Sequence, residues 1–148
     1  MMVETKTWED FKVGEEVHSI RLTITEAHLT QWGHLTLDFY PLHMDETFAS
    51  KTIFGRRIAH GPLVFSLGVG MISSTGFYAD SVMAWLGVEN MSIPRPVFIG
   101  DTIYAKGTVL GKKETKKPDR GLLTMCYEIL NQNDEIVMSY NLVFLVRS

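Results

Sequence analysis

A single cysteine, Cys126, is all the thiol chemistry this 148-residue chain has. That excludes an intrachain disulfide, and its place in the apolar run "LLTMCYEIL" points to packing rather than to a nucleophile. An excess of basic charge is also missing. Fourteen Lys and Arg against 17 Asp and Glu leave a net charge of −3, so no overall basic field draws nucleic acid or an anionic membrane. The longest apolar run, "PLVFSLGVGMI", falls well short of the ~20 residues that span a bilayer. The opening "MMVETKTWED" is charged where a secretory signal would be apolar. There is no low-complexity linker, repeat or break in composition. These absences leave one soluble domain over residues 1–148, expected in the cytoplasm. Its 45% hydrophobic and 21% charged residues are those of an ordinary globular protein.

The pattern along the chain is that of an α+β domain. "VHSIRLTI" alternates Ile20, Leu22 and Ile24 with Ser19, Arg21 and Thr23, which predicts a half-buried strand. A helix follows, capped by Thr23 or Thr25 and closing near Gly33. Pro41 predicts an extended loop, and "DETFAS" a short helical turn. "HGPLVFSLGVGMISSTG" reads as a second helix, with Pro62 in its first turn and Gly76 beyond its end. Its apolar residues run nearly all the way round, so it is expected to be buried. Gly68 and Gly70 each weaken it by roughly 1 kcal/mol relative to Ala, which predicts a close approach there. The remainder reads as long strands: "SVMAWLGVENMSI", "RPVFIGDTIYAKGTVLGKK", "GLLTMCYEILNQ" and "EIVMSYNLVFLVRS". "NQND" and "KKETKKPDRG" connect the last three.

Three groups of residues could carry chemistry. Asp38 and His43 lie five positions apart. A carboxylate and an imidazole that converge on one water can exchange protons near neutral pH. The spacing alone is equally compatible with a capping Asp and a partly exposed His. Second, His60-Gly61-Pro62 stands at a helix entry. There the Gly61 N–H would point into positive helix-dipole potential and could bind a carbonyl that becomes enolate-like. An ordinary helix start with His60 packed beside it would look the same. Third, Lys112, Lys113, Lys116, Lys117 and Arg120 could meet phosphates of a carrier such as CoA or acyl-carrier protein, or simply solvate a hairpin. His28, His34, His43, Asp38 and Asp45 form no compact metal motif, so no metal is expected. Ser66 in "FSLGVG" is not a nucleophile elbow, and Gly68-Val69-Gly70 is not a dinucleotide loop.

The stretch "LDFYPLHMDETFASKTIFGRRIAHGPL", Leu37 to Leu63, resembles the hydratase motif of the MaoC-like dehydratases, the group that includes (R)-specific enoyl-CoA hydratases. That motif has the form G-D-x-N-P-x-H-x-D, then an alanine, F-G and I-A-H-G. "PVFIGDTI" resembles the family's later strand entry. The resemblance implies a hotdog fold, a curved antiparallel sheet around the Gly61–Ser74 helix, paired into a homodimer or a dimer of dimers. It implies Asp38 and His43 as the acid–base residues holding water, and Gly61 as the thioester-carbonyl donor. The implied reaction is reversible hydration of a trans-2-enoyl thioester on CoA or acyl-carrier protein, with no cofactor. The substrate pocket would include Leu37, Tyr40, His60, Ser66 and Val69. Leu37 stands where the family has glycine, Tyr40 where many members have asparagine, and Val69 where some have serine. These departures point to a short branched or carboxylated acyl group. A thioesterase and a non-catalytic acyl-thioester-binding domain are the competing functions on such a scaffold.

Overall fold

The computed structural model describes residues 4–148. Three long hairpin-connected strands form the body of the sheet: β4 (Thr102–Glu114), β5 (Arg120–Leu130) and β6 (Ile136–Arg147). β5 throughout, β4 as far as Val109 and β6 from Met138 alternate buried and half-buried residues, because successive side chains point to opposite faces. β1 (Glu16–His18) and β2 (Leu22–Thr23) both pair with β4, and β3 (Val82–Ser92) pairs with β6. All pairings are antiparallel, in the order β1-β4-β5-β6-β3. Helix α4 (Gly61–Ser73) lies across β4 and β5, which is the expected hotdog arrangement.

The predicted strand over "VHSIRLTI" is split between β1 and β2. Ser19 interrupts it, its hydroxyl accepting the Ala105 N–H at 2.8 Å, and Ile20 is left 77% exposed. Helix α1 (Glu26–Thr36) starts at Thr25 as expected but runs three residues past Gly33. Pro41 does not extend the chain. It opens a one-turn helix, α2 (Pro41–Met44), because its missing N–H and fixed φ suit the start of a helix. α3 (Glu46–Ala49) follows, capped by Asp45 accepting from the Phe48 N–H at 3.0 Å.

Helix α4 is buried on one side only. Leu63, Val64, Gly68, Met71 and Ile72 face the sheet, while Pro62, Ser66, Gly70 and Ser73 form an exposed stripe in the single chain. Gly68 is where the sheet comes close: an added Cβ would collide with Ile129 and the Tyr140 hydroxyl. Gly70, on the open stripe, meets nothing within 4 Å. Gly68→Val is therefore expected to cost about 1–3 kcal/mol in denaturant unfolding, as other overpacked core sites do. An unchanged midpoint would contradict this packing.

Candidate active site

The site is assembled where α1, α2 and the entry to α4 meet. α1 ends with Leu37 in the left-handed region, at φ 64°, a conformation that explains why glycine suits this position. The turn aims Asp38 inward. Its N–H donates to Thr36 Oγ1 at 3.3 Å, and its carboxylate accepts the Tyr40 N–H at 3.2 Å. The α2 turn then brings His43 back toward Asp38. A bridge between Ile58 and Phe98 delivers His60 and Gly61 to the same point. Acceptor and donor atoms of Asp38, His43 and His60 lie within 4.8 Å of one another.

Hydrogen bonds fix the tautomers of both histidines. His43 Nδ1 is 2.8 Å from the Ile58 carbonyl, which can only accept, so Nδ1 carries the hydrogen and Nε2 keeps a free lone pair. His60 Nε2 is 3.0 Å from the Asp38 carbonyl, so it donates there, and its Nδ1 has no partner among the described residues. The two rings stack with centroids 4.1 Å apart and planes 27° from parallel. His60, expected in the substrate pocket, is fully buried. It bonds to the Asp38 backbone and lies flat on His43.

Burial pushes the His60 imidazole below its ordinary 6.5; the Asp38 carbonyl opposes this and neighbouring His43 reinforces it. His60 therefore stays neutral when folded in a range where it protonates when unfolded. The unfolded chain binds the extra proton there, so stability rises with pH across that range. It is fully present above about 6.5 and is lost as pH falls toward the depressed folded value. Urea midpoints at pH about 7.5 and 5.5 should show the drop, and His60→Asn should shrink it. A pH-independent midpoint in the parent would contradict the assignment.

Arg57, which no sequence pattern singled out, clamps the surrounding pieces. Its guanidinium pairs with Glu26 of α1, its Nε donates to Glu46 of α3 at 2.9 Å, and Nη1 reaches the His43 carbonyl at 3.4 Å. With these carboxylates beside it, its already high pKa is raised further. The signal is long-range, over sequence separations of 31 and 11, and no local motif could reveal it.

The other expected site residues fall in different places. Gly61 opens α4, its N–H finding no acceptor among the described residues. It borders an apolar cavity of about 190 Å³ with Ile58, Val64, Ile93 and Met138. Ser66 and Val69 share a second apolar cavity of about 250 Å³ with Phe65, Trp85, Leu142 and Phe144. Tyr40 is 58% exposed, its ring edge-on to His43 and Phe48 at 6.3 Å each. Leu37 is exposed as well.

Lys112, Lys113, Lys116, Lys117 and Arg120 lie at the β4–β5 hairpin end, whereas the site lies beside the opposite end of those strands. Ten residues of strand put them roughly 30 Å away at 3.3 Å per residue. Lys112 donates to the Phe11 carbonyl at 2.8 Å, and Arg120 is paired with Asp119. Cys126 sits half-buried in β5, where burial pushes its thiol pKa up, as befits a packing role. Among the described residues no helix is long and apolar enough to cross a membrane.

Comparison with known proteins bears on this geometry. The model of the MaoC like domain family matches residues 10–125. An (R)-specific enoyl-CoA hydratase of Rhodospirillum rubrum is 35% identical over 111 residues, covering 74% of each chain. Protein MaoC of Klebsiella aerogenes is 34% identical over 115 residues, 78% of this chain, which spans only 33% of that longer protein. The crystal structure of an Archaeoglobus protein described as a monoamine oxidase regulatory protein superposes with a TM-score of 0.94 at 36% identity, covering 100% of this chain and 99% of that one.

Proposed function

The chain belongs to the MaoC-like domain family, and from that premise we propose that it hydrates a trans-2-enoyl thioester reversibly, acting as a hydro-lyase on a CoA-linked or carrier-protein-linked substrate. The observation that carries the reading is the fixed His43 tautomer. With Nδ1–H committed to Ile58, the Nε2 lone pair stays available beside the Asp38 carboxylate. Water held between the two loses a proton as its oxygen bonds to C3. The pair returns a proton to C2, so one water adds across the double bond. Charge that moves onto the thioester oxygen meets the Gly61 N–H at the positive end of α4. Burial of His60 keeps a second positive charge from developing next to His43.

The test is hydration in water enriched in heavy oxygen, read by mass spectrometry. Label at C3 of an intact 3-hydroxyacyl thioester is the expected result. Label in a free carboxylic acid would mean attack at the carbonyl carbon, and would overturn the reading. For the acyl group, the bulk of Tyr40 and the small cavities favour a short branched or carboxylated chain over a long straight one.

The same proposal includes a homodimer. β3 is an edge strand of 11 residues that leaves Met83, Trp85, Leu86 and Met91 roughly half exposed. A long apolar edge pairs readily with another chain, and a second copy offers the same edge about a two-fold axis. The open stripe of α4 would then be covered too. Light scattering should give twice the single-chain mass, and Leu86→Glu should give the single-chain mass. A monomeric parent would contradict the dimer.

A further inference from the structure

Arg95 and Pro96 line both the apolar cavity beside Gly61 and a neighbouring cleft of about 270 Å³, which adds Arg56, Asn131, Gln132, Asn133, Asp101 and Glu135. The segments that carry the two arginines run side by side, joined by the Ile58–Phe98 bridge and by the Ala59 N–H donating to the Val97 carbonyl at 2.7 Å. Arg95 therefore borders the cavity of the proposed oxyanion donor, and Arg56 stands in the cleft on the other side of the Arg95–Pro96 wall.

The acids of this cleft are engaged. Asp101 accepts the Phe98 N–H at 2.8 Å and the Gln132 amide at 3.0 Å. Glu135 accepts the Asn131 amide at 3.2 Å and pairs with Arg95 Nε at 3.4 Å. Arg95 also donates to the Ile136 carbonyl at 3.2 Å. Arg56 differs. Its guanidinium lies over the Phe98 ring, 3.8 Å from the centroid, and among the described residues no carboxylate pairs with it. A ring under a guanidinium fixes its plane and leaves the N–H edge turned outward, the presentation that suits phosphate.

We propose that Arg56, supported by Arg95, binds a phosphate of the substrate's carrier as the carrier arm leaves the Gly61 cavity. The site rests on the hydratase reading for its substrate, and takes the role that the sequence suggested for the Lys112–Arg120 hairpin. That hairpin stands at the far end of the same chain, whereas the arginine outlet adjoins the cavity at Gly61. The apolar cavity houses the uncharged part of the arm, and the charged part emerges where the positive charge is.

Two measurements on the full chain test this. Calorimetry with free CoA should show Kd rising about tenfold in Arg56→Gln, the size expected for loss of a charge-assisted hydrogen bond, and further in Arg56→Gln/Arg95→Gln. Kinetics with crotonyl-CoA and with the phosphate-free crotonyl thioester of N-acetylcysteamine should show the KM advantage of the CoA substrate shrinking about tenfold in the same variants. A third substrate, a carboxylated enoyl thioester of N-acetylcysteamine, separates the remaining source of an anion. Selective loss of that substrate, with the CoA advantage intact, would show that the arginines meet an acyl carboxylate and would overturn the carrier assignment. Unchanged CoA affinity in both variants would overturn it outright. The single Arg56 variant guards against misfolding, since that side chain makes no buried ion pair. If the parent hydrates none of the three thioesters, the hydratase reading fails, while calorimetry with free CoA still decides the phosphate site.

Discussion

Alanine at Asp38 or at His43 lowers kcat for enoyl-thioester hydration by about 10²–10⁴-fold, the usual worth of a positioned general acid or base. Either change leaves the fold in place. Asp38 touches its surroundings through an exposed turn, where its carboxylate accepts one backbone N–H. His43 is half-buried and loses one hydrogen bond, to Ile58, worth on the order of 1 kcal/mol. In the proposed mechanism the two residues act on the same water, so the double variant is expected to fall little further than either single one, as groups that work as a unit do. Initial rates with crotonyl-CoA, alongside circular dichroism and a denaturant midpoint, check all three variants. Either single variant working at the parent rate would contradict the role given to the pair. A loss of activity matched by loss of structure would instead make the pair structural.

Proline at Gly61 replaces the N–H of the proposed machinery with a ring carbon and is expected to leave α4 otherwise in place. Gly61 is the first residue of α4, where proline is well tolerated because that N–H has no partner within the helix. The preceding His60 has φ −58° and ψ 135°, the extended conformation that a following proline demands. A Cβ at Gly61 has room too, with Ile93 Cδ1 nearest at 3.8 Å. The helix should therefore form in Gly61→Pro with a parent-like unfolding midpoint. The oxyanion donor is gone, and kcat falls by about 10²–10³-fold. Gly61→Ala is the control, because it adds a methyl group and keeps the N–H. The gap between the alanine and proline variants reads the loss of the donor together with the ring carbon that takes its place. Equal kcat in the two would remove Gly61 from the mechanism, and a melted proline variant would mean that α4 starts differently.

The parts legible in the sequence are those decided locally. The long strands of β4, β5 and β6, Pro62 in the first turn of α4 and the helical turn over "DETFAS" are visible in short windows, because their causes lie within a few residues. Gly68 was readable as a close approach but Gly70 was not distinguishable from it, since only the packed position of Ile129 and Tyr140 separates them. Pro41 misled because proline both breaks and begins helices; the turns on either side decided which. At the site, the spacing of Asp38, His43 and Gly61 was legible through the motif. The stacking of His60 on His43 and the three-way clamp by Arg57 were not, because both join segments distant in sequence. The basic hairpin drew attention by its charge density, whereas Arg56 gains its meaning only from lying over Phe98 beside the cavity.

The most direct test records two signals at once from the parent protein and an enoyl-CoA: loss of the enoyl absorbance and release of free thiol. The account predicts loss of the enoyl signal with no thiol released, and loss of that activity in Asp38→Ala and His43→Ala. Thiol release that keeps pace with substrate consumption would contradict it, since the water between Asp38 and His43 would then be attacking the carbonyl carbon rather than C3.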